Sequence, residues 1–484
     1  MIELYTRHAS RGQQLLGAYS QFGWHHPGPL IFYVLAPFYA LGGQTVHALN
    51  AGALAINLTC VILIVWVVLT RSDASVTLTV ALFALLALFL ARVPSLMISA
   101  WNPHLLVLPF IALVIICAAT IAGDAALLPV AVALASFASQ AHVGLVPVTQ
   151  ALIGVTVIAA FVVAKRGGLD LQRLRRWTNI SVFVFIALWL LPIAEQIAIT
   201  PGNATRVARY FFQDTRPGPS LWHGWTILSE ALTLPFRVGF QVPQGWQFVS
   251  AATPLPLAAG TVLVALILIV IIRRPQDPAR FERALAGLCL VAAAIGFWSV
   301  MRIRETVGDY AVFWLSALGT ISLAVVSSYV FSALVRASSP RALRAVAATL
   351  LVAGAIVLGV RQLVISQRPP AVRDEEAVTV QVLADDLIRT IRQSGVVHAQ
   401  LQSGDRWGVA AGVILQFLKE GVPFSVDPAE ADFYGRQLAA GESDVVFTFV
   451  GPASHERLAA RPDNIVAAHS RGVFVDGIRV SARP

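Results

Sequence analysis

Charge is scarce in this chain. Asp, Glu, Lys and Arg make up 13% of its 484 residues, about half the share of a soluble globular domain. Hydrophobic residues make up 57%, and the mean hydropathy is +0.72. A soluble fold has no interior that could hide so much apolar surface, whereas a bilayer takes it up directly. A soluble enzyme is thereby excluded, and a polytopic helical membrane protein is implied. Cysteine is just as scarce. Cys60, Cys117 and Cys289 lie far apart, each inside an apolar run, which excludes a disulfide framework and zinc-type spacing. Internal repeats are absent, and the polar C-terminal part holds no GxGxxG, no Walker motif and no catalytic-triad pattern. A net charge of +9 would suit nucleic acid. The basic residues, however, sit in short segments between apolar runs, the pattern of membrane topology, so no nucleic-acid partner is expected.

What is present is a series of apolar runs. A hydrocarbon core about 30 Å thick calls for roughly 20 apolar residues per helix. Runs of that kind cover 47–70, 74–91, 103–122, 125–138, 144–164, 179–199, 256–272, 284–300, 309–334 and 342–362, which predicts ten spans with a short fourth one. Arg71 follows the first. Lys165, Arg166, Arg173, Arg175 and Arg176 follow the fifth, Arg273, Arg274, Arg280 and Arg283 the seventh, and Arg336, Arg341 and Arg344 the ninth. Ten alternating spans put all four groups on one side, which the positive-inside bias makes cytoplasmic. Residues 1–46, the loop 200–253, the turn 301–308 and everything after 366 are then extracytoplasmic.

After "SQRPPAVRDEE" the composition becomes that of a soluble domain. "VQVLADDLIRTIRQSG" and "RWGVAAGVILQFLKEG" have helical spacing, the second ending at a C-cap, Gly421. "VVHAQLQS", "PFSVD", "DVVFTFVG" and "GVFVDGIRV" have the spacing of strands. The domain plan is a first loop with an interfacial helix (1–46), a transmembrane helical domain (47–366) and a small α/β domain (367–484).

The polar groups gather at the outer ends of the spans. The first segment carries Glu3, Arg7 and His8, then His25 and His26. "ARVPSLMISAWNPH" supplies Trp101, Asn102 and His104, and "SFASQAHVG" supplies Ser139, Gln140 and His142. "PIAEQIAITPGNATRVARYFF" supplies Glu195, Gln196, Asn203, Arg206, Arg209 and Tyr210. The turn "RIRETVGDY" adds Arg302, Arg304, Glu305, Asp309 and Tyr310. Ionisable groups at membrane depth are costly and face a cavity or a partner. Plainer roles compete with each of these. Arg302 and Arg304 can anchor helix ends, His25 and His26 can cap the interfacial helix, Trp101 suits an aromatic belt, and "PGN" explains Asn203 as a turn residue. Glu3 is more specific. A carboxylate placed there beside Arg7 is a natural general base for an acceptor hydroxyl, or a ligand for a hard cation.

"ELYTRHA", "GAYSQFGWHHPGPLIFYVLAPFY", "WNPHLLVLPF", "SQAHVG" and "PGNATRVARYFF" together resemble a group of multi-pass actinobacterial membrane proteins. Those in turn look like glycosyltransferases of the GT-C type, which include protein O-mannosyltransferases, lipid A aminoarabinose transferases and mycobacterial arabinofuranosyltransferases. The resemblance covers most of Glu3–Tyr310 and leaves the C-terminal domain aside. It implies inverting transfer of a sugar from a polyprenyl-phosphate donor to an envelope glycan, lipid or protein, on the outer face of the cell membrane. It maps the acidic residue of the first outer loop onto Glu3 and the interfacial helix onto 29–39. For the donor phosphate it implies Arg302 and Arg304, with Arg206, Arg209 and Arg7 as competitors. His25, His26, Trp101, Asn102, His104, Gln140, His142, Glu195, Asp309 and Tyr310 would line the site. A divalent cation, Mg or Mn, is a candidate cofactor. The departure is at the start, where the family has a helix and often a second acidic residue before "EL". A transporter or flippase, and a truncated non-catalytic assembly protein, stay open as rival readings.

Overall fold

The computed structural model describes residues 1–20, 22–72, 75–234, 254–273, 280–304, 307–335, 375–394, 396–439, 443–461 and 464–479. The expected tenth span and the residues Arg274, Glu305, Arg336, Arg341 and Arg344 lie outside them. The chain divides into two compact units. The larger comprises Leu15–Phe38 and His47–Ser366, and the smaller comprises Met1–Gln14, Tyr39–Val46 and Gln367–Pro484. Residues 1–46 are thus no unit of their own. The reason is apolar packing, because Leu4 is fully buried in one cluster with Leu383, Leu401, Phe417 and Phe447.

The larger unit is a polytopic helical membrane domain. Among the described residues six helices are long and apolar enough to cross a bilayer: Val46–Arg71, Asn102–Ala122, Val143–Lys165, Leu171–Ala198, Arg280–Met301 and Leu315–Ser332. The second, fourth and seventh expected spans appear as the shorter apolar helices Val76–Arg92, Ala125–Ala141 and Ala258–Ile272. The stretch Asn102–Ala122 is 94% buried. A helix apolar on every side is stable only when it is surrounded, and this one packs against the helices at 128–141, 146–165 and 280–301. Leu171–Ala198 is the opposite case, only 17% buried. Its Phe183, Ile186, Leu190 and Ile197 are exposed, an apolar outer surface that only lipid can satisfy. This helix starts eight residues before the expected span. Asp170 caps it by accepting from the backbone N–H groups of Gln172 and Arg173, so Arg173, Arg175 and Arg176 join its first turns.

Before the helices, Tyr19–Ser20 (β1) and Trp24–His25 (β2) form a short antiparallel hairpin. The "PGP" turn follows, then the helix Leu30–Leu41, whose 12 residues are too few to cross a bilayer.

The smaller unit is α/β. Ala399–Gln402 (β3), Phe424–Val426 (β4), Val445–Val450 (β5), Asn464–Ser470 (β6) and Val473–Arg479 (β7) form one sheet in the order β4-β3-β5-β7-β6. The β3 pairings with β4 and β5 are parallel, and those of β7 with β5 and β6 are antiparallel. The helices Glu375–Ser394 and Trp407–Glu420 pack against each other beside it. Gly421 closes the second helix at φ +67°, in the left-handed region that glycine enters at no steric cost. Strand β6 was not expected. "NIVAAHS" has few β-branched residues, and it is placed by the tight turn at Arg471–Gly472, both at positive φ.

Candidate active site

In the larger unit the hairpin, the "PGP" turn and neighbouring helix ends make one hydrogen-bonded assembly. Asn203 is buried and clamps the hairpin. Its Oδ1 accepts from the His25 backbone N–H at 2.8 Å, and its Nδ2 donates to the His25 carbonyl at 2.9 Å. Its own backbone N–H donates to Glu195 Oε2 at 3.0 Å. Gln196 Oε1 accepts from Ala204 and Thr205, so two neighbouring side chains cap the helix Asn203–Gln213. Phe22, Trp24, Tyr210 and Phe211 pack between that helix and the hairpin, with ring centroids 4.9–6.1 Å apart.

The turn meets Gln140. The backbone N–H of Gly28 donates to its carbonyl at 3.2 Å, that of Leu30 to its Oε1 at 3.3 Å, and its Nε2 donates to the Leu188 carbonyl at 2.8 Å. A side-chain carbon at Gly28 would sit 2.3 Å from Gln140 Oε1, so only glycine fits there.

The two histidines of the motif act on backbone. His25 Nδ1 donates to the Gly17 carbonyl at 3.0 Å. His26 Nδ1 accepts the Val143 N–H at 3.1 Å, and its ring stacks on His142 at 5.1 Å. His142 Nδ1 accepts from Gly144 at 3.1 Å, while its other nitrogen bonds the Tyr310 carbonyl. Burial first, then the neighbouring His142 and His25, hold the His26 ring well below the ordinary histidine range. Burial likewise lowers His142 to about 4, so both rings are neutral at pH 7. Asn102 Nδ2 donates to the Ala141 carbonyl at 2.9 Å. Trp101 stands edge-on to His104, which tilts against Phe313.

The structure thus brings His25, His26, Asn102, Gln140, His142, Glu195, Asn203 and Tyr310 together as braces of one assembly. Trp101 and His104 form an aromatic pair, and Asp309 opens the short helix Asp309–Val312. Among the described residues, no group of three or more His, Cys, Asp and Glu side chains could hold a metal ion.

The arginines have looser surroundings. Arg302 lies over the Trp298 ring, 5.2 Å from its centroid. Arg304 Nε is buried without a hydrogen-bond partner among the described residues. Segment 214–218 meets this turn, since a side-chain carbon at Gly218 would lie 3.4 Å from Arg304 Nη1. Asp214 there is paired with Arg216, whose hydrogen bonds hold the carboxyl to about 2, with Arg304 adding a smaller effect. Arg216 and Asp214 were not singled out from the sequence, because "QDTRPGPS" reads as an ordinary turn. Arg206 donates to the Pro201 carbonyl at 3.2 Å, and Arg209 is exposed.

Glu3 and Arg7 belong to the smaller unit, on the helix Ile2–Ser10. Glu3 Oε1 accepts from the Tyr39 hydroxyl at 3.0 Å and from Lys419 Nζ at 2.6 Å. Arg7 bonds the Leu418 carbonyl and Gln44 Oε1, which commits its guanidinium within the unit and makes it a poor phosphate clamp.

With this geometry the fold identifies a class: the chain has the GT-C type of fold. The apo crystal structure of ArnT from Cupriavidus metallidurans, an aminoarabinose transferase, overlays it with a TM-score of 0.54 at 13% identity, covering 98% of this chain and 92% of that one. The structure of the same ArnT bound to undecaprenyl phosphate overlays with a TM-score of 0.49 at 13% identity, covering 99% and 93%. No protein-family model matches the chain, and no curated protein matches it in sequence.

Proposed function

We propose that the protein is a membrane glycosyltransferase that moves a sugar from a polyprenyl-phosphate donor to an envelope glycan, lipid or protein acceptor on the outer face of the cell membrane. The observation that carries this reading is the GT-C fold shared with ArnT along nearly the whole length of both chains. The orientation follows from the basic segments, with the C-terminal domain extracytoplasmic.

Arg302 and Arg304 supply the donor-phosphate site, with Arg206 and Arg209 as competitors. Arg304 suits the role best, because its buried Nε offers a donor that an anion would satisfy. Glu3 is the general base. Among the described residues both of its hydrogen bonds fall on Oε1, so Oε2 is the oxygen that takes the proton. In the step itself the acceptor hydroxyl gives its proton to Glu3 and its oxygen bonds the anomeric carbon. The bond from that carbon to the phosphate oxygen breaks, and the electron pair leaves with the polyprenyl phosphate. Attack opposite the leaving group inverts the anomeric centre. Where a divalent cation (Mg or Mn) takes part, Glu3 is the carboxylate that would bind it.

The test uses the full chain in proteoliposomes with a panel of radiolabelled polyprenyl-phosphate pentoses and hexoses and envelope extracts as acceptor. Glu3→Gln should lower transfer by about 10²–10⁴ while detergent-extracted yield and thermal midpoint stay at the parent values. Transfer at the parent rate in that variant would remove Glu3 from the mechanism.

A further inference from the structure

The carboxylate assigned as base is not held by its own helix. We infer that Lys419, from the C-terminal α/β domain, is a positioning residue for Glu3, fixing the carboxylate through Oε1 together with Tyr39. This rests on the reading of Glu3 as general base.

Three separated stretches converge here, all in the smaller unit. Lys419 lies in the last turn of the helix Trp407–Glu420, Tyr39 near the end of Leu30–Leu41, and Glu3 in the first turn of Ile2–Ser10. The Nζ–Oε1 distance is 2.6 Å, and the side chains are only 26% (Lys419) and 13% (Glu3) exposed. One turn along the same helix face, Arg7 bonds the Leu418 carbonyl beside Lys419. Glu3 and Arg7 therefore grip the end of one helix at two adjacent points. Tyr39 is a dependable donor, because burial first and the Glu3 charge second raise its phenol well above the ordinary range. Two donors on one carboxylate oxygen fix the direction of the other. That is a catalytic asset, whereas as a stability device an ion pair of this exposure contributes little. Among the described residues the side-chain bond of Lys419 is to Glu3, so its effect is exerted through Glu3. A role for the C-terminal domain in the chemistry follows.

The test has two arms on the full chain in proteoliposomes. In the first, a water-soluble carbodiimide should join Glu3 to Lys419 as an amide, with water taken up by the reagent, and peptide mass spectrometry detects the product without any substrate. In the second, steady-state kinetics use whichever labelled polyprenyl-phosphate sugar the parent chain consumes. Lys419→Met should lower kcat about 10-fold or more at unchanged KM for the donor, and Lys419→Arg should restore most of it. Should Lys419→Met not fold, Tyr39→Phe serves instead, with a smaller fall in kcat and the same KM. An unchanged kcat in these variants, or no Glu3–Lys419 amide, overturns the positioning role, and inactive Glu3→Gln then leaves the base reading standing. Glu3→Gln at the parent rate overturns the base reading and the positioning role with it, even where the amide forms.

Discussion

Gly28 has no room for a methyl group. The "PGP" turn presses its backbone against Gln140, where a side-chain carbon would stand 2.3 Å from Oε1 and 2.6 Å from Cδ. Gln140 cannot swing aside freely, since its amide holds Leu30 and Leu188 at once. Gly28→Ala is therefore expected to destabilise the larger unit by about 1–3 kcal/mol through overpacking, read as a lower thermal midpoint in detergent. An unmoved midpoint would mean that the turn shifts without cost. The motif "YSQFGWHHPGPL" was legible as a turn feeding a short helix. The use of its histidines was not, because they bind backbone of residues more than a hundred positions away or a strand neighbour, and only Val143 and Gly17 in space reveal it.

At the scale of elements, the helix Ile2–Ser10 shows how packing outweighs sequence position. Leu4 and Tyr5 are buried, and the Tyr5 hydroxyl donates to the Phe433 carbonyl at 2.7 Å. His8 completes the seat, donating from Nε2 to the Tyr434 carbonyl at 2.9 Å and accepting at Nδ1 from Gln437 at 2.8 Å. That arrangement needs the neutral ring, and burial, opposed by the Tyr434 bond and aided by Arg11 and Arg7, lowers His8 to about 4. The unfolded segment therefore binds a proton more readily than the folded one. The stabilisation is complete above pH 6.5 and is lost progressively as pH falls towards 4. Hydrogen exchange corrected for intrinsic rates should show protection of this helix falling on the order of a hundredfold across that window. A flat profile would contradict the seat described. The helices Glu375–Ser394 and Trp407–Glu420 and four of the five described strands of the C-terminal domain were legible from spacing. The pairing of Ile2–Ser10 with that domain was not, since nothing local marks a contact between residues 416 positions apart such as Glu3 and Lys419.

For the whole molecule, low charge and high hydropathy already required a membrane protein. The six long apolar helices bear that out among the described residues, with Leu171–Ala198 presenting an exposed apolar face. The GT-C fold was legible through motifs spread from Glu3 to Tyr310, and the ArnT overlay extends it over 98% of the chain. The candidate site was legible in part. Glu3, Arg302 and Arg304 are named for the proposed site through the motifs and the resemblance they carry, whereas the contacts of Arg216, Tyr39 and Lys419 emerge only when the chain is folded. The measurement that bears most directly on the account is the stoichiometry of donor consumption in sealed proteoliposomes. Labelled polyprenyl-phosphate sugar and acceptor are supplied outside, and free polyprenyl phosphate and new glycosidic bonds are counted together. A transferase predicts one polyprenyl phosphate released per bond formed, with the anomeric centre inverted. Donor crossing the bilayer intact, with no new bond, would contradict it and make the protein a transporter of the same lipid.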